Sequence, residues 1–163
     1  MKKSTFTRLL MIVLMIIIPL NLSAKKKQKE ALRYEIEAAG VGTEGTYLVK
    51  AYVLSKKGNV PDELIKEAAI RGVIFRGFPA GQGSPAQKPM ASAEVEQEKQ
   101  MFFDDYFSSG AHLSYANIIP GSYERTKTAS GDYRIGATIQ VQKTELRRYL
   151  EQAGIIRGLN TGF

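Results

Sequence analysis

An uncharged apolar run near the N-terminus, Leu9 to Leu20, divides the chain into a part that can fold as a domain and a part that cannot. Lys2, Lys3 and Arg8 precede the run, and the small residue Ala24 follows it at a position suited to cleavage. The run is shorter than the ~20 apolar residues that a membrane-spanning helix needs. The pattern predicts a Sec signal peptide over residues 1–24, with an uncleaved membrane anchor as the alternative.

The chain contains no cysteine, which limits how the exported part can be stabilised and anchored. Disulfides, thiolate catalysis and the lipid anchor of a bacterial lipoprotein are excluded, because each needs a cysteine side chain. Residues 25–163 are numerous enough to bury one self-sufficient core. We therefore predict a leader over 25–32 and a single domain over 33–163.

The formal charge of +7 belongs mainly to the N-terminal region. After the positive residues of the signal peptide, four lysines crowd the predicted leader: Lys25, Lys26, Lys27 and Lys29. The domain itself is close to neutral and lacks the basic surface that nucleic-acid binding requires. We expect no nucleic-acid partner, and membrane contact only through the signal segment or the basic leader.

Apolar and polar residues alternate in the first third of the domain, as they do in strands with one buried face. Tyr34 to Ala38 alternate, and Thr46 to Ser55 are rich in β-branched and aromatic residues. The glycine-rich segment Gly40 to Gly45 separates them. Gly40-x-Gly42-x-x-Gly45 matches the dinucleotide-binding spacing, but it leads into a strand and lacks the helix N-terminus that would bind a pyrophosphate. We predict a hairpin.

A helix with an apolar stripe is predicted next, with Asn59 as its cap, Pro61 in its first turn and Gly72 as its end. Val73 to Phe78 is predicted as a strand, because it is short, apolar and bounded by glycine and proline. Residues 79–92 contain three prolines and two glycines and are predicted as a long surface loop.

The C-terminal half is predicted to contain two helices and three strands. The helices are Ala93 to Phe107, capped by Ser92, and a final helix capped by Thr144; the strands are His112 to Ile119, Tyr123 to Thr128 and Tyr133 to Gln142. The dominance of hairpins predicts an α+β fold: an antiparallel or mixed sheet with about three helices packed mainly on one face, as a two-layer sandwich.

The sequence shows no pattern of residues that defines a catalytic or metal centre. A single histidine, His112, without cysteine excludes a zinc cluster, and no G-x-S-x-G elbow accompanies it. We expect no cofactor. A pair of carboxylates for glycan or peptide hydrolysis stays open as an alternative, with these candidates: Glu35, Glu37, Glu44, Glu94, Asp104, Asp105 and Glu124.

The long loop and its flanks supply the candidate partner-binding residues. Cationic, aromatic and amide groups would lie on one edge of the domain: Arg76, Phe78, Gln82, Gln87 and Lys88. Such a surface suits a protein or glycan partner. An inert loop is the other interpretation of the same residues.

The passage Asp62 to Phe78 (DELIKEAAIRGVIFRGF) resembles the core of small exported modules of Bacteroidetes-type bacteria and is loosely similar to LPP20-like envelope domains. Some members of that group accompany curli-type secretion lipoproteins. The resemblance covers Tyr34 to Phe78, although this chain lacks the lipid-accepting cysteine of the lipoproteins. It implies a role in the cell envelope, in assembly, and it assigns no site residues.

From these features we expect a non-catalytic exported module, periplasmic or secreted, that binds a protein partner in secretion or surface assembly. The alternatives are a small carboxylate-based hydrolase of glycan or peptide, and a self-assembling structural subunit.

Overall fold

The alternating segments build a five-stranded antiparallel sheet. A computed structural model describes residues 31–158, so the predicted signal peptide and most of the basic leader lie outside the described residues. The strands are β1 (Tyr34–Gly40), β2 (Tyr47–Ser55), β3 (Ala116–Ile118), β4 (Glu124–Lys127) and β5 (Tyr133–Val141). Their order is β1-β2-β5-β3, with β4 also paired to β5. Strands β3 and β4 therefore lie end to end along the same side of β5.

Four α-helices accompany the sheet in the described part of the chain. They are α1 (Asp62–Arg71), α2 (Ala93–Glu98), α3 (Gln100–Ser108) and α4 (Lys143–Gln152). A π-helical turn (Gly72–Arg76) continues α1, and a 3₁₀ turn (Ala111–Tyr115) follows α3. The predicted α+β class with an antiparallel sheet is confirmed.

The core lies between one face of the sheet, here called the inner face, and the helices. Alternate residues of the two central strands supply the sheet side: Val49, Ala51, Val53, Ile135, Ala137, Ile139 and Val141. Fully buried helix residues include Ile65 and Ile70 of α1 and Leu146 and Leu150 of α4. Burying each such side chain contributes about 1.5–3 kcal/mol. The opposite, outer face of the sheet carries polar residues.

The predicted strand over Val73 to Phe78 is wrong, because the chain continues as a π-helical turn. Gly72 follows the last residue of α1 as predicted, but its angles are right-handed helical and the chain continues from it into the π-helical turn. The turn stops at Gly77, whose φ of 66° and ψ of −166° suit glycine alone. The carbonyl of Ile74 accepts a hydrogen bond from Ala91 N (2.9 Å). Its partner therefore lies in the connecting loop and not on a neighbouring strand.

Three further boundaries differ from the sequence prediction. Asn59 caps no helix, since α1 begins after Pro61 without a side-chain cap. The helix predicted over Ala93 to Phe107 is two helices, because Lys99 leaves helical geometry. Of the strand predicted over His112 to Ile119, only Ala116–Ile118 forms a strand, β3, and the residues before it belong to the 3₁₀ turn.

Other local predictions are confirmed. Ser92 accepts a hydrogen bond from Val95 N at the start of α2 (3.4 Å). The segment Gly40 to Gly45 connects the antiparallel pair β1 and β2, as a hairpin requires. Strand β5 spans nearly the predicted residues. By contrast, Thr144 is not the predicted cap of the final helix: α4 begins at Lys143 after Gln142 without a side-chain cap, and the Thr144 backbone N–H donates to Gly45 O (3.1 Å).

Candidate functional site

The loop after the π-helical turn is a narrow, hydrogen-bonded hairpin. Phe78 and Gln87 exchange two backbone hydrogen bonds (3.0 and 2.9 Å), and Gly81 and Ser84 exchange two more nearer the tip (3.0 and 2.8 Å). At Gly77 a β-carbon would lie 2.1 Å from the Gln87 carbonyl oxygen, so only glycine allows this approach. The loop, hereafter the 78–87 hairpin, therefore has a defined shape.

Two of the five candidate binding residues hold this hairpin in place. The Phe78 ring is only 5% exposed and meets the Tyr47 ring edge to face, with centroids 5.3 Å apart. The hydroxyl of Tyr47 donates a hydrogen bond to Gln87 Oε1 (2.8 Å). Phe78 is thus a core residue, and the expectation that its ring faces a partner is corrected, because packing on Tyr47 and the core removes its apolar surface from water.

The other three candidates lie at the surface. Gln82 and Lys88 are exposed, and Gln82 has a positive φ of 50° beside Gly83 at the hairpin tip. The guanidinium of Arg76 lies 4.0 Å from the Tyr34 ring centroid and donates to the Tyr34 carbonyl oxygen (2.7 Å). Arg76 and the hairpin therefore flank strand β1.

Strand β1 is an edge strand over seven residues, and no described strand pairs with its outer side. The Arg33 carbonyl accepts a hydrogen bond from Leu54 N of β2, whereas the Tyr34 carbonyl accepts one from the Arg76 guanidinium on the other side of the strand. Consecutive residues of β1 therefore point their backbone groups alternately towards β2 and away from it. By this alternation the N–H and C=O groups of Ile36 and Ala38 face outward. No hydrogen bond from another described residue reaches them.

The opposite edge of the sheet is built differently. It consists of β3, with three residues, and β4, with four exposed residues of which three are charged. Short edge strands and charged side chains hinder the addition of another strand. Of the two edges, β1 is the longer and the less interrupted, and the 78–87 hairpin lies against its end at Ala38, which is 7% exposed.

An ion-pair network covers the outer face of the sheet. Arg134 on β5 reaches over β2 to β1, where its guanidinium pairs with Glu35 (2.6 Å) and Glu37. On the way it lies 3.3 Å from the centroid of the Tyr52 ring. This arrangement clamps three neighbouring strands together.

Glu124 extends the network to β4. It accepts hydrogen bonds from Tyr52 Oη (2.8 Å) and from Lys50 Nζ. These bonds, first that from Lys50, lower the pKa of the Glu124 carboxyl. The Tyr52 hydroxyl can reach Glu124 because the ring passes over Gly136, the residue opposite it on β5. A β-carbon at position 136 would lie 2.5 Å from Tyr52 Cδ1 and block this path.

The structure thus brings together three of the carboxylates considered for hydrolysis: Glu35, Glu37 and Glu124. Acid catalysis by a carboxyl group at neutral pH needs a raised pKa. The pKa of Glu124 is shifted in the opposite direction, and Glu35 and Glu37 are both held in ion pairs with Arg134. The geometry favours a clamp between strands over a hydrolytic pair.

His112, the histidine considered for catalysis, is buried at 3% exposure. Its ring packs against Tyr106 and Phe107, with centroids 6.0 and 5.0 Å away, and Nδ1 lies 3.4 Å from the Tyr106 carbonyl oxygen. Within residues 31–158 no group of three potential ligands could hold a metal ion, and no helix has the length and apolarity to span a bilayer.

Comparison with known protein families, curated proteins and solved structures finds no match to this chain. The sequence located the region of the hairpin but missed the edge of β1. The alternation of Tyr34 to Ala38 did predict that β1 is a strand. Its place at the edge of the sheet depends on the strand order, which alternation does not encode.

Proposed function

We propose that this protein is a non-catalytic module of the cell envelope that binds an extended segment of another protein along strand β1. In this mode, called strand addition, the partner's main chain hydrogen-bonds to an exposed sheet edge, and pockets beside the edge select its side chains. The predicted signal peptide and the resemblance to LPP20-like domains support an envelope location and a role in secretion or surface assembly.

The observation that carries the proposal is the difference between the two sheet edges. Strand β1 offers seven residues with outward backbone groups at Ile36 and Ala38, whereas the opposite edge is split and charged. Proteins commonly protect long edges against unwanted pairing. A long and continuous edge is what strand addition requires.

The surroundings of β1 provide a means of selecting a partner. Arg76 stands at the Tyr34 end, and Gln82 O lies 3.9 Å from the place of a β-carbon on Gly40 at the other end. Because the 78–87 hairpin is held by its own hydrogen bonds, little ordering entropy would be lost on binding. Exposed Gln82 and Lys88 then contribute side-chain contacts.

The test is site-specific photo-crosslinking in the producing cells. A photoreactive residue replaces Ala39, beside the β1 edge, and in a second strain Thr126 of β4 as the matched control. We expect one dominant crosslinked protein from position 39 and none from position 126. Equal yields from both positions, or no crosslink at 39, would contradict the assignment to β1.

A second set of variants tests the backbone mechanism. Ala38→Pro removes an outward N–H, whereas Ala38→Ser keeps it; because Ala38 is only 7% exposed, the folded amount of each variant is measured together with the crosslink. We expect Ala38→Pro to abolish the crosslink at unchanged protein level and Ala38→Ser to preserve it. If Ala38→Pro lowers the folded amount, Val41→Lys provides the same test by adding a charge at the exposed end of the β1 edge, where Val41 is 74% exposed. Light scattering separates a different partner from a second copy of this chain, which would favour self-assembly instead.

A further inference from the structure

The inner side of the β1 edge is formed by the segment Gly72 to Ala93. At one end of the strand, the Arg76 guanidinium lies 4.0 Å from the centroid of the Tyr34 ring. At the other end, a β-carbon on Gly81 would lie 3.6 Å from Ala38 Cβ. The whole segment contains no acidic residue. A partner segment added to β1 therefore meets no negative charge from this segment on its inner side.

Arg76 occupies the place that a partner residue would take opposite Tyr34. Its Nη1 donates to the outward carbonyl oxygen of Tyr34 (2.7 Å), which is the bond that the backbone N–H of an added strand would otherwise make. Among the described residues, no carboxylate forms an ion pair with Arg76. The ladder of an added strand therefore ends at Ile36, and its next residue faces a guanidinium without a counter-ion.

A second exposed cation, Lys88, lies close to Arg76 along the chain path. Its carbonyl carbon would be 2.9 Å from a β-carbon on Gly77, the residue that follows Arg76. Both side chains are exposed. Two cations without a nearby acidic residue in their own segment favour a carboxylate of the partner at this end of β1.

The outer side of the same edge carries negative charge. Glu35 and Glu37 lie on the outer face of the sheet, where both pair with the single guanidinium of Arg134. Their side chains remain 45% and 50% exposed. Two carboxylates on one guanidinium leave an excess negative charge, so the two sides of the β1 edge differ in sign.

The register of a sheet converts this difference into a pattern along the partner. The described strands all pair antiparallel, and antiparallel ladders are slightly more stable per residue than parallel ones. Residues directly opposite each other in such a pair lie on the same face, where opposite charges stabilise and like charges destabilise the pair. A partner residue opposite Glu35 or Glu37 thus meets carboxylates, and the residue opposite Tyr34 meets Arg76.

The same charges disfavour a second copy of β1 as the partner. A symmetric antiparallel pair centred on Ile36 places Glu35 of one copy opposite Glu37 of the other. A pair centred on Glu37 places that residue opposite itself. Since like charges directly opposite each other are destabilising, the charges favour a partner of different sequence.

We infer that the segment accepted by β1 runs antiparallel to it, with a basic residue opposite Glu35 or Glu37 and an acidic residue opposite Tyr34 that pairs with Arg76. This inference rests on the proposed strand addition and specifies its partner. In sequence, the acidic residue follows the basic one by one position when the basic residue faces Glu35, and by three when it faces Glu37. This arrangement is called the charge order below.

The inference is tested with a library of random peptides displayed on phage and selected on the chain purified from its producing cells. We expect enriched peptides with the charge order and with apolar or β-branched residues between the charges. The selection is repeated on Arg76→Glu, where we expect a basic residue to replace the acidic one. Absence of enriched peptides, the reverse order of the two charges, or an acidic preference that persists in Arg76→Glu overturns the inference.

Matched variants show whether the charge at position 76 acts directly. Arg76→Lys should keep the acidic preference, and Lys127→Glu, on β4 at the opposite edge, should leave the selected peptides unchanged. A synthetic peptide selected on the parent should bind Arg76→Glu more weakly by about tenfold or more. If Arg76→Glu lowers the folded amount, Lys88→Glu takes its place and should weaken the same peptide. Equal binding to the parent and to the folded variant contradicts the inference.

The photo-crosslink from position 39 separates this inference from the proposed function. A crosslink at 39 in cells, together with peptides that lack the charge order, overturns the charge order alone. Absence of that crosslink contradicts strand addition itself. A selected peptide that competes with the crosslinked protein at position 39 supports both.

Discussion

At the scale of single residues, comparing Gly77 with Gly121 measures how much stability depends on the close contact between the backbones of Gly77 and Gln87. Both have positive φ, 66° and 75°. A β-carbon at Gly77 would lie 2.1 Å from Gln87 O, whereas one at Gly121 meets nothing within 4 Å. Both substitutions carry the conformational penalty, but Gly77 adds a steric one.

We expect Gly77→Ala to lower the free energy of unfolding by about 2–4 kcal/mol, since an alanine there combines backbone strain with a clash. Gly121→Ala should cost about 1 kcal/mol. Urea unfolding of both variants and the parent provides the measurement. Equal losses would mean that the hairpin shifts freely and has no fixed shape.

Glu124 makes a second prediction, on pH. Its pKa is lowered in the folded state by Lys50 and Tyr52, so its stabilisation is present above the unfolded value of about 4.3 and is lost as the pH falls through the folded value. Glu124 is largely exposed, which limits the effect to about 0.2–1 kcal/mol.

We therefore expect Glu124→Gln to be less stable than the parent at pH 6, with the difference shrinking as the pH falls below 4. Thermal unfolding followed at several pH values tests this. Glu98→Gln is the control, since no described residue forms an ion pair with Glu98. A difference that does not change with pH would argue against the clamp.

At the scale of elements, the packing of the α1 end on β1 depends on Gly72. Its backbone is right-handed helical, so alanine would be favoured there by helix propensity alone. However, a β-carbon would lie 2.6 Å from Ile36 Cδ1. Overpacking of this kind costs about 1–3 kcal/mol and outweighs the gain.

The prediction is a coupling between the two positions. Gly72→Ala should destabilise the parent, and it should cost less in an Ile36→Ala background, which removes Cδ1 and Cγ2 and leaves Ile36 Cβ at 3.0 Å from the added β-carbon. A double-mutant cycle by denaturant unfolding gives the coupling energy, expected to exceed about 0.5 kcal/mol. If the two changes in the free energy of unfolding are strictly additive, the end of α1 and strand β1 are not in steric contact at these positions.

The same elements explain what could be predicted from sequence. Strand β5 was predicted nearly to the residue because Tyr133 to Val141 alternate over a full strand length. The run Val73 to Phe78 was mistaken for a strand because a short apolar segment has no periodicity that separates a buried strand from a buried helical turn. Gly72 was interpreted as a helix end, although its lack of a side chain serves packing on Ile36.

For the candidate site, the sequence predicted where the loop lies but not which of its side chains face the solvent. Gln82 and Lys88 are exposed as expected, and Phe78 is not. Which side chains of a loop turn inward depends on contacts far along the chain, here Tyr47. The carboxylates Glu35 and Glu124 show the same limit, since they are distant in sequence and only sheet register brings them to one face.

At the scale of the whole molecule, stability is expected to be unevenly distributed across the sheet. Strands β2 and β5 are paired on both sides, and their inner-face residues form the sheet side of the core. Strand β4 is exposed at all four residues and is held by β5 and by the bonds of Glu124. Local opening of such a segment needs less free energy than global unfolding.

Native-state hydrogen exchange measures this distribution. Amides of β2 and β5 should exchange through global unfolding, and those of β4 through local opening at lower free energy. Glu124→Gln should accelerate exchange in β4 by more than in β2 or β5, because it removes the link from β4 to Lys50 and Tyr52. Uniform acceleration across all strands would mean that the sheet opens as one unit. In that case the bonds of Glu124 would not hold β4 separately from the rest of the sheet.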